Sequence, residues 1–143
     1  MVTLDLDHPD IESYINWKVV EEQKVAALVA GSKTSQKHLK KIIGLCHTPV
    51  EIEGRTFNGE MSRNPLKNKA LAQAIREAKK EQVPLNYIER VIQLAAQGFT
   101  DLEFDTCDTE WNSEAYNTVS GQNSNNSVRV PNSFMKAVVD DKD

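Results

Sequence analysis

The chain has no apolar run long enough to span a bilayer. Its longest, Val25-Ala26-Ala27-Leu28-Val29-Ala30, falls far short of the ~20 residues that a membrane helix needs, and no charged-then-apolar leader opens the N-terminus. This reads as a soluble, cytoplasmic protein with no membrane partner. Cysteine is scarce: Cys46 and Cys107 lie far apart, without the Cys-x-x-Cys spacing of a zinc knuckle or a thioredoxin pair, and read as two reduced thiols. Positive charge is in deficit, 17 Lys and Arg against 21 Asp and Glu, for a net charge of -4. That balance provides no basic field to hold a phosphate backbone, so nucleic acid is not an expected partner. Aromatic residues make up only 6% and are not interleaved with basic ones, which argues against a stacking surface for single strands. Also missing are a Gly-x-Gly-x-x-Gly turn, a phosphate-loop Gly-x-x-x-x-Gly-Lys and a Gly-x-Ser-x-Gly elbow, so no reaction is named by motif.

What is present suits one domain: 143 residues, 39% of them hydrophobic. Val2, Leu4 and Leu6 alternate with Thr3, Asp5 and Asp7, the period of a strand with one buried face. His8-Pro9-Asp10 then starts a helix, with Pro in the first turn and acidic residues at its positive end. Ile11, Tyr14, Ile15, Lys18 and Val19 continue it. Glu21-Glu22-Gln23-Lys24 interrupts this stripe, Val25 to Ala30 is ambiguous in type, and Thr34 or Ser35 is placed to cap a further short helix through Leu39, Ile42, Ile43 and Cys46. His47 to Asn64 breaks into Pro, Gly and alternating charge, the composition of a surface loop. Asn64-Pro65 predicts a cap for a helix to about Lys80, and Pro84 opens another that Gly98 ends. Phe99 to Ser127 has little periodicity and is too long for an idle connection, so it is either functional, ordered by something else, or holds a short helix around Trp111 to Thr118. Val128-Arg129-Val130 reads as a second strand, and Asn132 as the cap of a final helix.

Two groups of reactive side chains need weighing. Asp5, Asp7, His8 and Asp10 are the densest set of metal-ligand types, but helix capping and a hydrogen-bonded histidine account for them, and no metal is expected. Cys46 and His47 are sequence neighbours at a helix end, where side chains point apart, so they do not read as nucleophile and base. The run Ser120-Gly121-Gln122-Asn123-Ser124-Asn125-Asn126-Ser127 cannot bury apolar area, yet it leads straight into a β-branched strand. It reads either as a solvated loop or as the rim of a ligand pocket.

Specific residues go further than pattern. Leu4-Asp5-Leu6-Asp7-His8-Pro9-Asp10-Ile11-Glu12, the stretch from Trp17 to Ser32, and Val119 to Val130 around the Asn-rich run closely resemble an internal section of adenosylcobalamin-dependent (class II) ribonucleotide reductases. The helix from Pro84 to Gly98 and Phe134-Met135 also fit, so the resemblance covers essentially the whole chain. It implies an α/β fold: a slice of a ten-stranded α/β barrel, with two short parallel strands, 2-6 and 127-130, and a mainly helical and loop insertion over 33-118. It also implies a parent enzyme that reduces ribonucleotides to 2′-deoxyribonucleotides for DNA synthesis by a radical mechanism, with adenosylcobalamin as cofactor, a nucleotide effector, and the remaining segments of the catalytic subunit as partners.

The family's catalytic residues do not carry over. Its Asn-Pro-Cys-x-Glu loop is absent, and Cys46 and Cys107 match none of its redox positions, so the isolated chain is expected to be inactive and not to bind the cofactor alone. The resemblance leaves Gln122, Asn123, Asn125, Asn126 and Arg129 as candidates for facing the substrate or cofactor cavity. The abrupt start inside a strand and the apolar last helix stopped by Asp140-Asp141-Lys142-Asp143 suggest a piece of a longer chain, whose uncovered faces favour self-association. The alternatives are a non-catalytic interaction module or subunit of a split reductase, and an unrelated helical binding protein. If segments 2-6 and 127-130 are not parallel neighbours in one sheet, the barrel reading fails and the last of these stands.

Overall fold

A computed structural model describes residues 1–110 and 112–141. In chain order the elements are β1 (Val2–Asp5), α1 (Ile11–His47), β2 (Val50–Ile52), β3 (Arg55–Phe57), α2 (Glu60–Arg63), α3 (Lys69–Lys80), α4 (Leu85–Ala96), α5 (Glu114–Asn117), β4 (Asn126–Arg129) and α6 (Asn132–Val139). β1 and β4 pair in parallel, Val2 opposite Asn126 through Asp5 opposite Arg129, which makes the protein a mixed helix-and-strand fold. Among the described residues no helix is long and apolar enough to cross a membrane.

The chain divides into two units: Met1–Ala27 with Thr109–Asp143, and Leu28–Asp108. The first holds the parallel pair. Parallel strands cannot be joined by a tight turn, so β1 and β4 meet only because the chain returns after a long excursion. Thr3 Oγ1 and Ser127 Oγ lie 2.7 Å apart across the pair. Few residues of this unit are deeply buried: Tyr14, Glu21, Val25 and Ala115. Ile15, Trp17, Val19 and Val20 of α1, and Phe134, Met135, Val138 and Val139 of α6, remain exposed.

The second unit has a conventional core. Leu39, Ile42, Ile43 and Cys46 from α1 meet Leu71, Ala74 and Ala78 of α3, Val83, and Ile88, Val91 and Ala95 of α4, with Phe104 packed against the cluster. The i, i+3, i+4, i+7 spacing of those α1 residues makes a single apolar stripe. Both α3 and α4 end in the same device. Val83 N–H bonds Ala78 O (3.0 Å) and Gln82 N–H bonds Lys79 O (3.1 Å), while Phe99 N–H bonds Leu94 O (3.1 Å) and Gly98 N–H bonds Ala95 O (3.2 Å). These Schellman closures need a left-handed residue, supplied by Gly98 (φ 97°) as expected and, at some cost, by Gln82 (φ 61°).

Four local expectations are corrected. The three separate segments expected between Ile11 and Cys46 form one 37-residue helix. Its charged stretch contains no Pro, Lys24 reaches back to Glu21 at i,i+3, and Ser32 Oγ donates to Val29 O (3.0 Å), so nothing there breaks the backbone ladder. The loop expected over 47–64 contains a hairpin, β2–β3, turned by Glu53 and Gly54, both at positive φ, in the manner of a type I′ turn. The cap of α3 is Asn68 rather than Asn64; Asn64 instead accepts from Leu66 N–H (2.9 Å) in a local turn. Asn132 is the first residue of α6 and does not cap it, Pro131 occupying the cap position. The short helix expected around Trp111 to Thr118 is α5; Trp111 itself, like Lys142 and Asp143, lies outside the described residues.

Candidate functional site

The amide-rich run sits at the amino end of β4, and its neighbours are on the first three turns of α1. Tyr14, Trp17, Lys18 and Glu21 share one helix face, at i, i+3, i+4 and i+7. The Tyr14 hydroxyl donates to Val2 O (2.7 Å), lies 3.2 Å from Ser127 O, and accepts from Ser127 N–H (3.3 Å). Lys18 Nζ donates to Gln122 O (3.4 Å) and Glu21 Oε2 accepts from Ser120 N–H (3.3 Å). Gly121, at φ 73°, lies against the Trp17 ring; a Cβ there would sit 3.6 Å from it, and the positive φ already disfavours a side chain. Within the run, Ser124 Oγ lies within hydrogen-bonding distance of Gly121 O (2.7 Å) and Asn126 Oδ1 (2.8 Å).

Glu21 is a buried carboxylate, only 6% exposed. It stays ionised because Lys24 donates to it and Ser120 N–H adds a second bond, which together hold its pKa below the ordinary value against the opposing effect of burial. On the next helical position Glu22 accepts from the Tyr116 hydroxyl (3.1 Å), which pushes that phenol's pKa up.

The candidate residues are therefore not gathered at one point. Gln122 is anchored through its carbonyl, and its Nε2 is buried without a partner among the described residues. Asn126 is the first residue of β4 and Arg129 the last, roughly 10 Å apart at about 3.3 Å per residue. Asn123 and Asn125 are exposed, and neither side chain has a hydrogen-bond partner among the described residues.

Arg129 stands at the carboxyl end of the parallel pair, where open α/β sheets usually bind ligands. Its guanidinium forks onto the directly opposite carboxylate: Nε to Asp5 Oδ1 at 2.5 Å and Nη2 to Asp5 Oδ2 at 2.6 Å. The pair holds the Asp5 carboxyl below its usual range and raises Arg129. Asp5, Leu6, Asp7, Arg129, Val130, Pro131 and Asn132 line an open cavity of about 680 Å³ there. Its charges are thus already paired in part, which a sequence pattern could not reveal because the partners are 124 residues apart.

The other reactive side chains have structural employment. His8 Nδ1 accepts from Asp10 N–H (3.1 Å). His47 bonds Phe99 O through Nε2 (2.7 Å), while Cys46 is 1% exposed and its thiol is pushed up to about 11 by burial. Among the described residues no three His, Cys, Asp or Glu are gathered to hold a metal ion.

Comparison with known proteins supplies what geometry alone does not. No family model matches the chain. Over all 143 residues it is 57% identical to a section of a protein from Bradyrhizobium diazoefficiens named vitamin B12-dependent ribonucleotide reductase. Over 141 residues, 99% of the chain, it is 57% identical to a protein of the same name from Agrobacterium fabrum. The chain spans 11% of the length of each of these relatives.

Proposed function

We propose that the chain forms part of a vitamin B12-dependent ribonucleotide reductase, an oxidoreductase that makes 2′-deoxyribonucleotides from ribonucleotides by radical chemistry. The observation that carries this reading is 57% identity sustained over the entire chain to proteins of that name. In this reading β1 and β4 are two neighbouring strands of a ten-stranded α/β barrel, and 33-118 is a helical insertion between them. Supporting it are the parallel register of β1 with β4 and the apolar residues that α1 and α6 leave exposed, which other segments of the enzyme would cover.

The chain contributes cavity wall rather than reacting groups. Cys46 does not suit a thiyl or dithiol role, being buried with its thiol pushed up to about 11. Adenosylcobalamin belongs in this proposal to the whole enzyme, where it supplies the radical. Gln122, Asn123, Asn125, Asn126 and Arg129 are the residues proposed to face the substrate or cofactor cavity.

The test is deoxyribonucleotide formation from ribonucleotides with adenosylcobalamin and a dithiol. The full-length protein carrying this segment should turn over and the 143-residue chain should not. Turnover by the short chain would place the chemistry in these residues and overturn the reading, as would an inactive full-length protein.

A further inference from the structure

Seven residues separate Tyr14 from Glu21, a rise of roughly 10 Å along a helix at about 1.5 Å per residue. Across that distance α1 grips both ends of the run Ser120–Ser127: Glu21 takes the first amide N–H and Tyr14 the last. Lys18 holds the Gln122 carbonyl and Trp17 supports Gly121 between them. Ser124 then ties the Gly121 carbonyl to the Asn126 side chain. Of the side-chain amides that the run leaves without a partner among the described residues, the Gln122 Nε2 is buried, and those of Asn123 and Asn125 are exposed, at i and i+2.

We propose that the Tyr14, Trp17, Lys18 and Glu21 face of α1 is a positioning element that fixes this run so that Asn123 and Asn125 are presented together to the ribonucleotide. The proposal deepens the reductase reading and rests on it. Fixing the backbone beforehand removes the ordering cost that eight small, polar residues would otherwise impose on binding. The two free amides are uncharged donor–acceptor groups, suited to the edge of a nucleobase or to ribose hydroxyls. Neither amide carries a charge, so the assignment is to base and sugar rather than to the phosphates.

Two measurements test it separately. Hydrogen exchange on the full-length protein carrying this segment compares wild type with Tyr14→Phe and Lys18→Met. Peptides covering 119–127 should exchange about tenfold faster in either variant while those covering 69–96 keep their rates, since loss of one tertiary bond of about 1.4 kcal/mol opens a local segment by that factor. Lys18→Met keeps the aliphatic stem and tests the clamp if Tyr14→Phe does not fold. Unchanged exchange of 119–127 would overturn the clamp.

In the full-length reductase, Asn123→Ala, Asn125→Ala and Tyr14→Phe should each raise KM for ribonucleotide by about five- to tenfold with kcat within about twofold. Inhibition by inorganic tripolyphosphate should not change. Weaker tripolyphosphate inhibition would overturn the assignment to base and sugar, and an unchanged KM would overturn the positioning role. If the wild-type full-length protein makes no deoxyribonucleotide, the reductase reading fails on its own, and the exchange result still decides the clamp.

Discussion

Asn68 concentrates more of the second unit's architecture than any other polar side chain described. It is 4% exposed and makes three hydrogen bonds: Oδ1 accepts from Leu71 N–H at 3.0 Å, capping α3, and Nδ2 donates to Ser62 O at 2.8 Å and Leu45 O at 3.1 Å. Through it the end of α1, the short α2 and the start of α3 share one node. In Asn68→Ala the lost cap costs about 1 kcal/mol. Each of the two carbonyls stripped of a donor adds about 1 kcal/mol at the lower end of the range for buried groups. The sum, about 3 kcal/mol, corresponds to a fall of roughly 12–24 °C in the midpoint of a unit this size. Asn68→Asp separates the contributions. It keeps the acceptor for the cap but turns a carboxylate oxygen onto the Ser62 and Leu45 carbonyls in a buried site, so it should be at least as damaging as Asn68→Ala. Urea unfolding followed by circular dichroism at 222 nm, extrapolated to water, measures both variants. A loss below about 1 kcal/mol for Asn68→Ala, or Asp clearly less damaging than Ala, would refute this account of the node.

Acid should weaken the fold in a defined direction. Asp5, Glu21 and Glu77 all have carboxyl pKa values held below their ordinary 3.8, 4.5 and 4.5 by Arg129, Lys24 and Lys41 respectively, so their contribution is present above those values and is lost as pH falls through the lowered ones. Thermal midpoints should therefore be flat from pH 8 to about 5 and decline below about 4, and a decline beginning at pH 6 would contradict this. Cys46 works at the other end. Its folded thiol titrates near 11 against 9.0 in the open chain, so stability is full below pH 9 and declines as pH rises towards 11. At pH 8, alkylation should reach Cys46 only after denaturant is added, as peptide mass mapping would show; rapid labelling of Cys46 in the native chain would contradict its burial.

The elements whose signals are local were readable beforehand. Alternation from Val2 to Leu6 and Gly98 at a helix end each act within a few residues, and the structure has β1 and α4 where those signals stand; Pro9 lies in the turn before α1, which begins at Ile11, rather than in its first turn. The β2–β3 hairpin was not readable, because its turn uses Glu53-Gly54 in place of the stronger Asn-Gly signal, and two three-residue strands carry little alternation. The charged stretch Glu21 to Lys24 read as a break because it interrupts the apolar stripe, yet backbone continuity does not require that stripe to be unbroken, and Glu21 is buried by its partners in the amide run. The site was legible as composition and not as geometry. Ser120 finds Glu21 across 99 residues and Ser127 finds Tyr14 across 113, and no periodicity reports contacts of that separation.

The parallel pairing of β1 with β4 also sets an order of events. Thr3 and Ser127 meet across 124 residues, and closing a flexible loop of that length costs about 4 kcal/mol before any ladder bond is returned. The helices between them, from the second half of α1 to α4, close their core through much shorter separations. The segment from Leu28 to Asp108 should therefore acquire structure first and shorten the span left to search, and the two strands should zip last. A chain arranged in this way keeps its sheet edges unpaired for the longest part of its folding, which makes the late, strand-closing step the one most exposed to aggregation.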